Sequence, residues 1–285
     1  MEKGTYKTAA SFRTALEHRL LEYSRKHDVD IMKVRRQCAF DRFLTRLFLT
    51  DKGDTFVLKG GYALELRIAM ARTTKDIDLC VRKKRGMEAD LKSIHSTLLD
   101  AMATDTNDFF EFHIGTPVMN LENAPYGGHR FPVSVLLAGR LFISFQIDVA
   151  IGDAWLDPHD NLSPYNWCEF AEIPVTTFSA ISPEQQFAEK LHSYTLPRQK
   201  LNSRVKDLVD MVLLINNGTL DNDRVRLAIE KTFGMRNTHP IPSELDEPPD
   251  FWTERFTVLA ESCRMETDMM NAFSVVVRYW RKIYL

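Results

Sequence analysis

A chain of 285 residues that is 44% hydrophobic and 27% charged has the composition of a folded protein of one large or two modest domains, which excludes disordered and fibrous classes. Its net charge of -2, from 37 Lys and Arg against 39 Asp and Glu, excludes a globally basic nucleic-acid coat, so any polyanion has to be met by local clusters. No apolar run reaches the roughly 18 residues of a membrane span. The opening MEKGTYKTAASFR has no apolar stretch behind its lysines, so no secretory signal is read and a cytosolic protein is expected. Cys38, Cys80, Cys168 and Cys263 stand singly among apolar neighbours, without the spacing of a zinc site or a disulfide framework, and are expected as small core residues.

In chain order, the first fifty residues read as helices, because Phe12, Leu16, Leu20 and Tyr23, then Phe40, Phe43, Leu44, Leu47 and Phe48, recur at three- and four-residue steps. In the second helix Arg35, Arg42 and Arg46 fall on one face with Lys33 and Arg36 nearby, which describes either a phosphate-facing surface or a solvated one. From residue 56 short strands alternate with single helices: FVLK, a Gly60-Gly61 turn, a helix over Tyr62 to Met70, the strand DIDLCVR, and a helix around Met87 to Met102. Further strands are expected at 110 to 114, 131 to 138, 141 to 150 and 172 to 178, separated by turn clusters such as Pro125 to Gly128, for a sheet of about five strands. After Ser182-Pro183 helices take over: PEQQFAEKLHSY, then SRVKDLVDMVLLI, then two or three more through Tyr279. The expected class is α/β (α+β), a mixed sheet flanked by helices in residues 1–180, followed by a helical lobe over 181–285.

The period of two in the strand Asp76-Ile77-Asp78-Leu79-Cys80-Val81 sends Asp76 and Asp78 to one face and the apolar residues to the other. Two carboxylates one strand step apart repel each other unless a cation lies between them, and Mg²⁺ is a hard ion that suits them; an Asp-x-Asp by itself also occurs by chance at the surface. Before this pair come a strand, two glycines and a helix, an arrangement that brings backbone amides close to an anion at the helix N-terminus or is an ordinary tight turn. Thr73 and Thr74 add hydroxyls. In the strand at 141 to 150, Asp148 lies on the more polar face; if that strand adjoins the DID strand, three carboxylates converge as two-metal phosphoryl transfer requires, with Asp148 holding the second ion or taking the proton. Asp153 competes for the same role. Ser182, Pro183, Glu184 and Gln185 form a capping box that starts the helix carrying Lys190, whose stripe is Phe187, Leu191 and Tyr194. Asp207 suits the first turn of the next helix, and Lys206 with Asp210 is spaced as an i,i+4 pair.

The run LKGGYALELR followed by RTTKDIDL resembles the nucleotidyltransferases of the DNA polymerase β superfamily, and most closely the AbiEii/AbiGii toxin family. That family also carries the later motifs matched here by Glu184, Ala188, Lys190 and Leu191 and by Arg204, Lys206, Asp207 and Asp210. The four segments agree in order over residues 58 to 210. Gly61 stands where the superfamily usually has Ser, and Tyr62 where the toxins most often have Thr; the Tyr62 phenol either stacks on a base or fills the core. The resemblance implies a nucleotidyltransferase fold whose C-terminal lobe completes the nucleotide site, and transfer of a nucleoside monophosphate from an NTP to a hydroxyl. It further implies two Mg²⁺ ions on Asp76, Asp78 and Asp148, catalytic roles for these three with Lys190 and Asp207, and nucleotide contacts from Gly60, Gly61, Thr74, Lys190, Arg204 and Asp207. The implied acceptor is the 3′ end of a tRNA or another RNA, and the implied partner a separately encoded antitoxin. From the residues alone, RNA is supported only by basic segments: Arg82 to Arg85, the helix from Lys33 to Arg46, and Arg198, Lys200 and Arg204. An enzyme that nucleotidylates protein and a nucleotide-binding regulator without transfer are the alternatives.

Overall fold

A computed structural model of the chain describes residues 6–50, 55–81, 91–120, 127–154, 156–198 and 204–284. Two compact units divide it, one of Met1–Leu58, Thr73–Gly152 and Asn161–Ala180, the other of Lys59–Arg72, Asp153–Asp160 and Ile181–Leu285. The unit containing the C-terminal helices therefore also draws in two earlier pieces of chain, which no composition shift marks. The four cysteines are buried and unbridged.

In the first unit, α1 (Ala9–His27) and α2 (Ile31–Phe48) start where Thr8 accepts a hydrogen bond from the Ser11 amide and Asp30 one from the Met32 amide. Of the expected stripes, Phe12, Leu16 and Leu20 on α1 and Phe40, Phe43, Leu44 and Leu47 on α2 are buried, whereas Tyr23 is exposed and Phe48 half-buried. The third helix of this unit, α4 (Leu91–Met102), buries Ile94, Leu98 and Ala101; the expected start at Met87 lies outside the described residues.

The strands are β1 (Phe56–Lys59), β2 (Asp76–Val81), β3 (Phe110–Ile114), β4 (Met119–Asn120), β5 (Gly128–Leu137), β6 (Arg140–Ile151), β7 (Asp160–Leu162) and β8 (Phe178–Ala180). They form one eight-stranded mixed sheet in the order β3-β5-β6-β2-β1-β8-β7, with β4 also paired to β5. β2 runs parallel to β6, and β6 antiparallel to β5. The sheet exceeds the expected five strands because β4 and β7, of two and three residues, are too short to show a period. In the run 172 to 178 only Phe178 joins a strand: Glu172 sits in the left-handed region at φ 55° after a single 3-10 turn, which ends any extended run there.

Packing against α2 decides which face of the sheet is open. Phe145 of β6 meets Phe40 and Phe43 edge-on, with ring centroids 4.8 and 6.0 Å apart, and Ile147 and Val149 on the same side are fully buried. Each such side chain contributes about 1.5 to 3 kcal/mol through removal from water. Period two then sends Ser144, Gln146 and Asp148 to the opposite face, where Ser144 is exposed and Gln146 and Asp148 are half-buried. One irregularity interrupts the alternation: Leu136 faces Leu141 but Val135 faces Ile143, so Phe142 is an extra residue, a β-bulge that leaves Phe142 and Ile143 both buried.

The second unit is helical. It contains α3 (Gly60–Arg67), α5 (Pro183–Thr195), α6 (Val205–Asn216), α7 (Asn222–Arg236), α8 (Thr253–Ser262) and α9 (Met269–Tyr284). Phe187, Leu191, Leu208, Val212, Ile229, Phe256 and Val276 lie in one core. Helix α3 stops three residues before the expected end, where Ile68 turns extended. Ser182 caps α5 by accepting from the Gln185 amide at 3.2 Å, but the capping box is not reciprocal: the Gln185 side chain donates to Thr232 at 2.9 Å instead.

Candidate active site

Strand β2 carries Asp76 and Asp78 on the open face, both half-buried, with Ile77 and Leu79 buried behind them. Parallel pairing with β6 sets Asp76 opposite Gln146 and Asp78 opposite Asp148, so the two strands adjoin, which is the condition for Asp148 to stand beside the pair. Its side chain behaves otherwise. Asp148 also faces Arg130 across β5, and the Arg130 guanidinium takes both of its oxygens, Nε to Oδ1 and Nη2 to Oδ2, each at 2.6 Å. Among the described residues no three His, Cys, Asp or Glu side chains are drawn together as a metal centre. The expected convergence holds for the backbone register of Asp78 and Asp148, while Asp148 itself is satisfied by an arginine.

Arg130 is held above its ordinary pKa first by the hydrogen bonds to Asp148, against the cost of partial burial, and then by the charges of Asp148, Asp76 and Asp78. Its field therefore reaches all three carboxylates. No local motif marks Arg130; the only signal is its place in an alternating strand, and its partner is identified only once the hairpin register is known.

The competitor Asp153 has a different environment, inside the second unit. Lys59 reaches its Oδ2 at 2.6 Å and Arg236 chelates it at 2.7 and 3.1 Å. Burial alone would push the Asp153 carboxyl up, but Lys59 and Arg236 hold it well below the usual carboxylate range. Lys59 also binds Glu189 at 3.0 Å, so this is a closed ionic network, not an open ligand set. Arg236 continues to His192, with Nη1 3.3 Å from Nδ1. Burial, Arg236 and His239 push His192 down to about 3, so its ring is neutral.

Gly60 takes φ 64°, the left-handed region that favours glycine, and its carbonyl accepts from the Gln186 side chain at 2.7 Å. Gly61 does not share that conformation: among the described glycines with positive φ only Gly60 belongs to this turn. Tyr62 is fully buried, which makes it a core aromatic and removes it as a base-stacking surface. Thr74 is buried and its hydroxyl approaches the Asp76 carbonyl at 3.5 Å, whereas Thr73 is exposed.

Lys190 projects from the edge of the Phe187, Leu191 and Tyr194 stripe, as its spacing predicts. Its ammonium lies 3.2 Å from Asp207 and 2.9 Å from Asp210. Burial would lower its pKa, but Asp210 and Asp207 hold it above the ordinary value. Arg72, which no spacing argument singled out, grips Asp210 through Nε and Nη2, both at 2.7 Å. Asp210, expected as the partner of Lys206, is thus buried with both oxygens on Arg72 and Lys190, while Lys206 is exposed. Asp207 Oδ2 is buried with no hydrogen bond among the described residues, and Arg204 Nε stands 3.9 Å from it.

The arginine face of α2 divides: Lys33, Arg35 and Arg36 are half-buried, whereas Arg42 and Arg46 form neither a phosphate surface nor a solvated one. Arg42 and Arg46 are buried and converge on Asp108, which also accepts from Thr106 and from the Phe110 amide. Arg35 pairs with Glu17, and Arg36 reaches the Thr74 carbonyl. Arg82 to Arg85 and Lys200 lie outside the described residues.

The fold is similar to that of MenT4, a nucleotidyltransferase toxin from Mycobacterium tuberculosis H37Rv, with a TM-score of 0.58 over 95% of this chain and 96% of that one at 16% identity. Weaker likenesses are to JHP933 from Helicobacter pylori, with a TM-score of 0.46 at 12% identity over 89% and 95% of the two chains, and to the antibiotic-resistance factor ANT(2'')-Ia, with 0.35 at 13% over 68% and 90%. Comparison with curated proteins finds no match. The family profile of the nucleotidyl transferase AbiEii toxins, type IV toxin-antitoxin systems, matches residues 42–278, and the chain belongs to that family.

Proposed function

We propose that the protein transfers a nucleoside monophosphate from an NTP to a hydroxyl of an RNA, the 3′ end of a tRNA being the acceptor class the family suggests, as the toxin of a pair whose antitoxin is separately encoded. The observation that carries this reading is the β2–β6 register, which aligns Asp78 with Asp148 on the open polar face of the sheet. The donor set fits magnesium, since Asp76, Asp78 and Asp148 offer only hard carboxylate oxygens and are half-buried, open enough to keep water and phosphate in the ion's shell. When bound, two magnesium ions would supply charge neutralisation on the triphosphate and activation of the attacking hydroxyl.

The chain's own residues then have defined tasks. Asp76 and Asp78 would hold the ions at the reacting phosphate, and Asp148 positions the acceptor hydroxyl or takes its proton. Oxygen attacks the α-phosphorus as the bond to the pyrophosphate leaving group breaks, so positioning and electrostatics do most of the catalysis. For the nucleotide we assign Gly60 and Gly61 as backbone contacts, with Thr74, Lys190, Arg204 and Asp207. An ammonium has three N–H donors; two of those on Lys190 face Asp207 and Asp210, leaving one for a phosphate oxygen.

Labelled NTPs incubated with the purified protein, Mg²⁺ and either total cellular RNA or cellular protein test the reading. Label in RNA is expected. Label in protein instead would make this a protein nucleotidylating enzyme, and NTP binding without transfer to either would make it a regulator.

A further inference from the structure

The row Arg130, Asp148, Asp78 crosses three adjacent strands on one face, with Asp148 in the middle. Asp148 can serve the cation site beside Asp78 only with oxygens that a guanidinium already occupies in a two-pronged grip. That guanidinium cannot leave by losing its proton, because arginine stays charged at any working pH. It is only about a quarter exposed on its side chain, and Asp148 less, so solvent screens the pair incompletely. A divalent ion approaching Asp148 therefore meets a fixed positive charge that it must displace or tolerate.

We propose that Arg130 is the counter-ion of Asp148, and that it sets how tightly the carboxylate row binds a divalent cation. The inference rests on the proposed reading of Asp76, Asp78 and Asp148 as metal ligands. A plain cross-strand ion pair would stabilise the β5–β6 hairpin and do no more; the counter-ion role adds a metal readout that such a pair would not move.

Mn²⁺ titration of the nucleotide-free full-length protein, followed by electron paramagnetic resonance of the free ion, separates the two. Arg130→Met should bind Mn²⁺ about tenfold more tightly than wild type, since a like charge has gone from beside the ligand. Arg130→Lys should stay close to wild type. In an Asp148→Asn background the Arg130→Met change should have a smaller effect, because the pair is absent and only the weaker coupling of Arg130 to Asp76 and Asp78 remains. Should Arg130→Met fail to fold, Arg130→Gln, which keeps a donor without the charge, carries the same expectation. Mn²⁺ affinity equal to or below wild type in the folded variant overturns the inference. If wild type and Asp78→Asn bind Mn²⁺ alike, the metal-ligand reading itself falls, and the counter-ion role with it.

Discussion

Asp108 and Asp148 are both gripped by arginine within the same unit, yet they serve different ends. Asp108 is completely buried, takes donors from Arg42, Arg46, Thr106 and the Phe110 amide, and ties α2 to the start of β3. Burial alone would push the Asp108 carboxyl up, but the hydrogen bonds of Arg46 and the charges of Arg46 and Arg42 hold it below the usual range. Asp148 has one arginine, is half-buried, and stands in register with a second carboxylate on a polar sheet face. Where positive charge exceeds negative and water is excluded, an ion pair is a fastener. Where the pair is only half-buried and stands beside another carboxylate on an open face, as at Asp148, it would leave room for the proposed cation.

That contrast makes Asp78→Ala the most severe test. Transfer to RNA should fall by about a thousandfold or more, as loss of several kcal/mol of transition-state stabilisation requires, while thermal unfolding changes little because the side chain is half-exposed. Near wild-type transfer would remove the open row from the mechanism. Asp108→Ala should do the reverse, costing about 3 to 5 kcal/mol in urea unfolding by leaving two buried guanidinium groups uncompensated. A loss under about 1 kcal/mol would mean that the knot is no fastener.

His192 gives a pH-dependent effect of intermediate size. Its folded value near 3 lies below the ordinary 6.5, so the unfolded chain binds a proton that the native protein refuses. Stability from this group is complete above about 6.5 and declines as pH falls toward the folded value, by about 2 kcal/mol at pH 5. Urea unfolding at pH 7 and pH 5 should show a smaller drop in His192→Gln than in wild type. An equal drop in the two proteins would place the acid sensitivity in the carboxylates.

Lys190→Met sharpens the comparison at its least obvious point, because Lys190 is paired like a fastener and yet assigned to the nucleotide. Calorimetric NTP affinity of the folded variant should weaken about tenfold, the loss of one charge-assisted contact. Lower stability with unchanged NTP affinity would put Lys190 beside Arg46 as a structural cation.

Local period made much of this molecule legible from its residues. Alternation in the DID strand separates its carboxylates from Ile77 and Leu79; Ser182-Pro183 marks the start of α5, and the three- and four-residue steps on α1 and α2 identify residues that are buried. Such patterns report the conformation of a segment and the side it turns inward, but not what covers the other side. For that reason the arginines of α2 could be read as a surface face although Asp108, 62 residues beyond Arg46, buries two of them. Arg72 and Asp210, 138 residues apart, are equally beyond local reach.

The hairpin shows the division most sharply. Its turn at Ala138 and Gly139, both at positive φ, is a local feature. Counting outward from the Leu137–Arg140 pair without interruption would set Arg130 opposite Ile147; the bulge at Phe142 shifts the register by one and puts Asp148 there. Because side chains alternate with a period of two, that single inserted residue decides which side chain meets the guanidinium on the open face. The sequence determined that strand β6 would carry a carboxylate on its polar face. The bulge and the neighbouring strands decided which cation that carboxylate meets, since register belongs to pairs of strands and not to any one of them.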